Sequence, residues 1–306
     1  MPKDKIIFIV GPTATGKSET AFYLARKIKG EIISCDSMQV YKGMPIISNQ
    51  PSAALTKKIP HYLLSFVPAQ KEYNVSQYRR DALKKIRLVL KKKEIPIFVG
   101  GTGLYMSILV DGIFEIKAED PALREKFYQQ AGKRGSNFLH EKLKQVDPIA
   151  AAKIHPNDTK RIVRALEVFK LTGKPISVLQ QQRKGLADEY DVKIFCLNLG
   201  RPKLYQRISH RTEKMFKQGL LEEARKLLKL KLSQTSSAAI GLKELKGYFD
   251  GLYDLAEAKA RIIRNTRLYS KRQLTWFRKD KRIQWFNIKE NDTPKKIAEK
   301  LWKKLS

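Results

Sequence analysis

The 306-residue chain is short of acid and of sulfur. Only 30 Asp and Glu stand against 62 Lys and Arg, a formal charge of +32. Charge of one sign on that scale repels itself as the chain compacts, so an anionic partner is expected. Hydrophobic residues make up 42% and aromatics 9%, which excludes a disordered basic tail and allows a sizeable core. The two cysteines, Cys35 and Cys196, are far apart and have no His or Cys at ligand spacing. That excludes a disulfide framework and a structural zinc site, and points to a reducing compartment. Long apolar runs are missing as well. The clearest one near the N-terminus, Ile6-Ile7-Phe8-Ile9-Val10, leads straight into a glycine loop, so neither a signal peptide nor a membrane span is expected. These absences lead to the expectation of a cytoplasmic protein that binds a polyanion; separately, a monomer is expected.

What is present reads as alternating structure. Residues 6–10 form a strand buried on both faces and 11–16 a loop, after which Ala21, Leu24, Ala25 and Ile28 recur at helical spacing. Strands at 31–34 and 95–99 flank a helix marked by Tyr78, Ala82, Ile86 and Val89, an alternation that implies a parallel sheet. From about 119 to 183 only helical periodicity is found, with Ile162, Ala165, Leu166 and Phe169 as an apolar stripe that ends at Gly173 and Pro175. Strand-like segments return at 192–197 and 283–288. The predicted fold is therefore α/β: a parallel sheet core flanked by helices, built from 1–113 and 192–306, with a helical insertion domain at 114–191.

Gly11-Pro12-Thr13-Ala14-Thr15-Gly16-Lys17-Ser18 fits the phosphate loop Gly-x-x-x-x-Gly-Lys-Ser/Thr without a mismatch, which makes the core P-loop NTPase-like. A chain of this length matches by chance about once in a hundred, and the strand before and helix after lower that further. Backbone N–H groups and a helix N-terminus converge there on phosphate oxygens, Lys17 adds a mobile charge, and Ser18 is the candidate Mg²⁺ ligand. The motif reports a bound diphosphate or triphosphate without saying which bond breaks. Asp36-Ser37-Met38-Gln39-Val40-Tyr41 follows the second strand, which places Asp36 at the carboxyl edge of the sheet. Three roles are open to it: Mg²⁺ ligand, general base, or cap of a helix starting at Ser37. Val99-Gly100-Gly101-Thr102-Gly103-Leu104-Tyr105 brings the Thr102 hydroxyl to the same edge, although Gly-Gly-Thr-Gly by itself marks only a tight strand-to-helix turn.

Cations are distributed with some order. Lys160, Arg161 and Arg164 lie beside the insertion's apolar stripe, and Arg261, Arg264, Arg267 and Lys271 share one helical face by their spacing. Tyr269, Trp276 and Phe277 are interleaved, with Arg278 and Lys279 after them, the mix of a nucleic-acid groove. A solvated face is the usual account of such a run, but the overall charge favours polyanion contact.

Together these segments resemble the tRNA dimethylallyltransferases, the IPP transferase family. His155-Pro156-Asn157-Asp158 followed by Lys160-Arg161-Ile162-Val163-Arg164-Ala165-Leu166-Glu167-Val168 is similar to that family's most recognisable stretch. Lys271-Arg272-Gln273-Leu274-Thr275-Trp276-Phe277-Arg278 is similar to its C-terminal tRNA-contacting motif. The resemblance implies transfer of a dimethylallyl group from dimethylallyl diphosphate to N6 of the adenosine 3′ to the anticodon, in tRNAs reading codons that begin with U. It implies that Gly11, Pro12, Thr13, Ala14, Thr15, Gly16, Lys17 and Ser18, with Mg²⁺, hold the diphosphate as leaving group. Asp36 would be the general base, Thr102 a contact near the reacting adenine, and Arg211 a diphosphate ligand. Further tRNA contacts implied are Ser37, Met38, Gln39, Arg124, Lys160, Arg161, Ile162, Val163, Arg164, Lys243, Lys271, Arg272, Gln273, Trp276 and Arg278.

The chain departs from the family pattern in three places. His-His-Leu is here His61-Tyr62-Leu63, Gly-Thr-Ala-Lys-Pro is replaced by Ser48-Asn49-Gln50-Pro51, and Gly-Tyr-Lys/Arg-Glu/Gln appears as Gly241-Leu242-Lys243-Glu244. With no Cys₂His₂ finger, the bacterial type is the closer match. The rival readings are a P-loop small-molecule kinase, an RNA-binding protein that hydrolyses ATP or does no chemistry, and an adenylate isopentenyltransferase acting on free AMP or ATP. The late arginine helix argues against the last, since a mononucleotide acceptor has no use for an extended cationic surface.

Overall fold

Strand β1, Lys5–Val10, is at most 1% exposed at each position from Ile6 to Val10, and a strand so buried needs neighbours along both edges and over both faces. It has them in the computed structural model, which describes residues 3–114, 120–289 and 291–305. The other strands are β2 Gly30–Ser34, β3 His61–Tyr62, β4 Ile95–Gly100, β5 Asp191–Asn198 and β6 Gln284–Asn287. They form one sheet in the order β3-β2-β4-β1-β5-β6, and every pairing is parallel. Register puts Phe8 opposite Phe98, and the two rings stack at 4.7 Å. The helix Lys17–Ile28 buries Ala21, Phe22, Leu24 and Ala25 in a cluster with Ile7, Ile9, Ile32 and Ile97. Each buried Leu, Ile or Phe side chain there contributes roughly 1.5–3 kcal/mol by leaving water. The helix Val75–Lys91 buries Tyr78, Ala82, Ile86 and Val89, the stripe read from the sequence. Its Tyr78 stacks on Tyr105 at 3.7 Å and donates its hydroxyl to the Ser34 carbonyl at 3.0 Å, tying that helix to the end of β2.

The five strands expected from the sequence are all present, and β3 is an addition. With two residues, β3 is too short for any periodicity to reveal it. Both cysteines are free and buried. Among the described residues no helix is long and apolar enough to cross a membrane.

The chain divides into two compact units: Met1–Val110 with Glu189–Ser306, and Asp111–Asp188. The second is helical, comprising Pro121–Arg134, Ser136–Val146, Pro148–Lys153, Thr159–Thr172 and Ile176–Gln181, with Leu186–Glu189 at its boundary. Leu139, Leu143, Ala151, Ile162, Ala165 and Val168 are among its core residues. Asp147 closes it: one carboxylate oxygen caps Ala150 N at 2.9 Å and the other accepts from Ser177 N at 2.9 Å.

The sheet edge is tight where β2 and β4 end. A Cβ at Gly100 would overlap the Cys35 carbonyl, a backbone atom with no freedom to rotate away. Gly100→Ala should therefore destabilise the protein by about 1–3 kcal/mol, read as a lowered denaturation midpoint at unchanged slope. An unchanged midpoint would show that the 34–36 backbone can yield.

Candidate active site

Because β2, β4 and β1 are adjacent, the segments leaving their carboxyl ends meet at one place. β1 delivers residues 11–18. Within that loop Thr15 Oγ1 and Lys17 Nζ both donate to the Pro12 carbonyl, at 2.9 and 2.7 Å, which curls the loop back on itself. β2 delivers Cys35 and Asp36. Asp36 Oδ1 accepts from Met38 N at 2.9 Å and Gln39 N at 3.4 Å. The capping role expected for Asp36 is thus real, but it caps a turn at 37–40, not a helix. Both bonds fall on Oδ1, so the cap uses one oxygen of the carboxylate. β4 delivers 100–103. Thr102 N donates to the Cys35 carbonyl at 3.2 Å, and Thr102 Oγ1 accepts from Ser37 N at 2.9 Å and lies 3.3 Å from Ser37 Oγ. Thr102 and Asp36 are locked together by these bonds.

Arg211 reaches the loop from the helix Arg201–Lys217, its guanidinium donating to Thr13 Oγ1. Burial pulls the Lys17 ammonium down to about 8, with nearby Asp36 opposing the shift and Arg211 reinforcing it. Burial likewise lowers Arg211 to about 10, again opposed by Asp36. Arg211 Nε is out of solvent with no hydrogen-bond partner. Two desolvated cations face one carboxylate, an arrangement suited to an anion of more than one charge. Ser18 lines a small cavity with Ser34, Gln39, Pro51, His61 and Val99. Among the described residues no three His, Cys, Asp or Glu side chains form a metal cluster. A metal here would take its ligands from Ser18 Oγ, phosphate oxygens and water, a hard-oxygen set that suits Mg²⁺.

The sequence model of the IPP transferase family matches residues 39–280. The chain belongs to the IPP transferase family. The tRNA dimethylallyltransferase of Carboxydothermus hydrogenoformans is 42% identical over 304 residues, covering 99% of this chain and 96% of that protein. That of Geobacter sulfurreducens is 43% identical over 307 residues, covering 98% and 97%. Among solved structures, the tRNA isopentenylpyrophosphate transferase of Bacillus halodurans superposes with a TM-score of 0.73 at 37% identity, covering 99% and 97% of the two chains. A eukaryotic dimethylallyltransferase acting on tRNA gives 0.84 at 29% identity, covering 98% of this chain and 77% of that one.

Other positions that the IPP transferase resemblance marked for RNA differ in exposure. Lys160, Arg161, Lys243, Lys271, Arg272, Trp276 and Arg278 are exposed, with Arg161 paired to Asp158 at 2.9 Å. Ser37, Met38 and Gln39 are half-buried; the Gln39 amide accepts from Ser34 Oγ at 3.2 Å and donates to the Asn49 carbonyl at 3.0 Å. Ile162 and Val163 are a correction: both are buried in the insertion's apolar core, so their side chains cannot meet RNA. Arg124 and Arg164 both bind Glu167 at 2.9 Å, and Glu167 is fully buried, so these guanidiniums neutralise an internal carboxylate. Gln273 is 6% exposed and points inward.

The expected cationic face also thins out. Arg261 pairs with Glu257 at 2.6 Å, and Arg267 donates to Ser209 at 3.2 Å and packs over the Tyr205 ring, which leaves Arg264 and Lys271 as its exposed members. Phe277 is fully buried, and Tyr269 faces inward, its phenol pushed up by burial and then by Asp36.

Glu223 escaped the sequence reading. From the helix Leu220–Leu228 its carboxylate accepts from Ile46 N and Ile47 N, the shortest bond being 2.7 Å. It pins the 44–50 turn, whose Gln50 amide in turn donates to the Gln39 carbonyl at 3.1 Å. Only the position of Glu223 in the first turn of an amphipathic helix was visible beforehand, and that reads as an ordinary surface acid.

The lowered Lys17 value sets a pH dependence. A bound diphosphate raises the ammonium's pKa, so affinity is complete below pH 8 and declines as pH rises above it, by up to tenfold per unit. Titrating donor affinity from pH 7 to 9.5 should show this decline, and Lys17→Arg should flatten it; a flat wild-type profile would mean that Lys17 does not meet the anion.

Proposed function

We propose that this chain is a tRNA prenyltransferase that moves a dimethylallyl group from dimethylallyl diphosphate to N6 of the adenosine on the 3′ side of the anticodon. Named relatives at about 40% identity over nearly the whole chain support tRNA as the acceptor. The observation that carries the reading is the meeting of two desolvated cations, Lys17 of the phosphate loop and Arg211 from the helix beside it, with the Asp36 carboxylate at the end of β2.

In the proposed reaction the allylic C–O bond lengthens while negative charge grows on the leaving diphosphate. Lys17 and Arg211, desolvated and already in place, stabilise that charge with no reorganisation. Mg²⁺, held by Ser18, would add charge neutralisation on the same oxygens. N6 attacks the carbon, the N–C bond forms as the C–O bond breaks, and the N6 proton passes to Asp36. A neutral adenine amine is a very weak acid, so the proton leaves with or after attack. Thr102, fixed to Ser37 beside Asp36, is placed to orient the base. For the adenine to reach the sheet edge it must leave its stack, which is least demanding in a loop.

Incubation with labelled dimethylallyl diphosphate and, in parallel, bulk tRNA, AMP and ATP should label tRNA alone; label in AMP or ATP would transfer the assignment to the mononucleotide class. Asp36→Asn should lower turnover by about 10²–10⁴ and leave tRNA affinity within a few-fold. Near-normal turnover would remove Asp36 as the base. For the exposed surface, Lys271→Ala with Arg272→Ala should reduce the salt slope of tRNA binding by about 0.7 for each phosphate that these side chains neutralise. An unchanged slope and affinity would assign both residues to a solvated face.

A further inference from the structure

Gln273 lies on the helix Leu255–Phe277, between Lys271 and Arg272, which face solvent, and Trp276. Its own side chain turns the other way. Gln273 Oε1 accepts from Thr13 N at 3.0 Å, and Gln273 Nε2 donates to the Gly101 carbonyl at 2.9 Å. One amide thus joins the loop after β1 to the loop after β4, using its acceptor on the first and its donor on the second. The fit is close: a Cβ at Gly101 would overlap Nε2, and one at Gly103 would overlap the Trp276 ring. Thr13, the other end of the bridge, is also the residue to which Arg211 donates.

From this geometry we infer that Gln273 is a positioning residue of the donor site and not an RNA contact. It fixes residues 11–18, which carry Lys17, at a set distance from Thr102, which is one residue from its second anchor. Without the bridge the two loops are held mainly through the sheet, and the diphosphate grip can drift relative to the acceptor. The inference rests on the reading of residues 11–18 as a diphosphate site. It runs against the RNA role that the sequence motif alone suggested for this glutamine.

Gln273→Met keeps the volume and removes both hydrogen bonds. It should raise the donor KM about tenfold, the worth of one to two such bonds, and leave the tRNA Kd within twofold of wild type. Gly101→Ala should evict the amide while leaving Gln273 itself unsubstituted and give the same signature. In the double variant the two effects should not add, because both remove one bridge. Weaker tRNA binding at unchanged donor KM would make Gln273 an RNA contact after all. A fall in kcat alone, or additive effects, would reduce it to general packing, and no change in any of these would leave the bridge without function. Direct binding of inorganic diphosphate separates this test from the functional reading. Weaker diphosphate binding by Gln273→Met supports the bridge even where wild type labels no tRNA, and equal affinity in both proteins overturns it.

Discussion

Two cations withdrawn from water next to each other are the costly feature around which the sheet edge is arranged. Lys17 and Arg211 are both pulled below their ordinary pKa values by burial, Arg211 pushes Lys17 down further, and Asp36 is the largest opposing charge for each. Burying like charges costs stability that the apolar sheet must supply, and a stable protein tolerates it only at a site under selection for something else. What relieves the strain is an anion with two or more charges. In the proposed reaction the same preorganisation that makes the site uncomfortable without one would make it effective on a diphosphate whose charge is growing, because the positive field does not have to be assembled during the reaction.

The field acts on the right atoms only if the acceptor side is held to the donor side within a few tenths of an ångström. The parallel sheet does part of this by placing β2, β4 and β1 in adjacent positions. Contacts across the loops do the rest. Gly100 lets the Cys35 carbonyl come into backbone contact, Thr102 is bonded to both Cys35 and Ser37, and Gln273 spans from Thr13 to Gly101. Asp36 is therefore one member of a bonded layer, and its cap on Met38 and Gln39 fixes the carboxylate's orientation while using a single oxygen. Capping and proton transfer, which competed as readings of the sequence, are compatible in the structure.

Most of this was legible where chemistry is local. A phosphate loop, the strands on either side of it and the amphipathic stripes of the helices are short-range patterns, and they appear where the periodicity placed them. What the sequence could not show was direction. Ile162 and Val163 sit in a motif rich in cations, but the helical period turns them into the core while Lys160 and Arg161 face out. Gln273 has the same relation to Lys271 and Arg272. Glu223 accepts from the Ile47 backbone N–H, 176 residues away, and Glu167 binds Arg124, 43 residues away, as well as the nearby Arg164; no local window contains the distant partner. Two-residue β3 falls below the length at which alternation means anything.

Sorting the charge by direction also separates two tasks that the +32 total merges. Lys17 and Arg211 point at the loop, Arg124 and Arg164 neutralise Glu167, and Arg267 packs against Tyr205. None of these offers an unengaged charge at the surface. The exposed cations are others, Lys160, Lys243, Arg264, Lys271 and Arg272 among them, and contacts of this kind grip phosphates without regard to sequence. Discrimination between one nucleotide and another therefore cannot come from the basic surface. It has to arise where hydrogen-bonding groups meet a base edge in a site too narrow to accept alternatives, which on the proposed reading is the layer holding Asp36, Ser37 and Thr102. On that reading an exposed cationic coat brings the RNA to the protein, and a few neutral and acidic groups at the sheet edge decide which atom reacts.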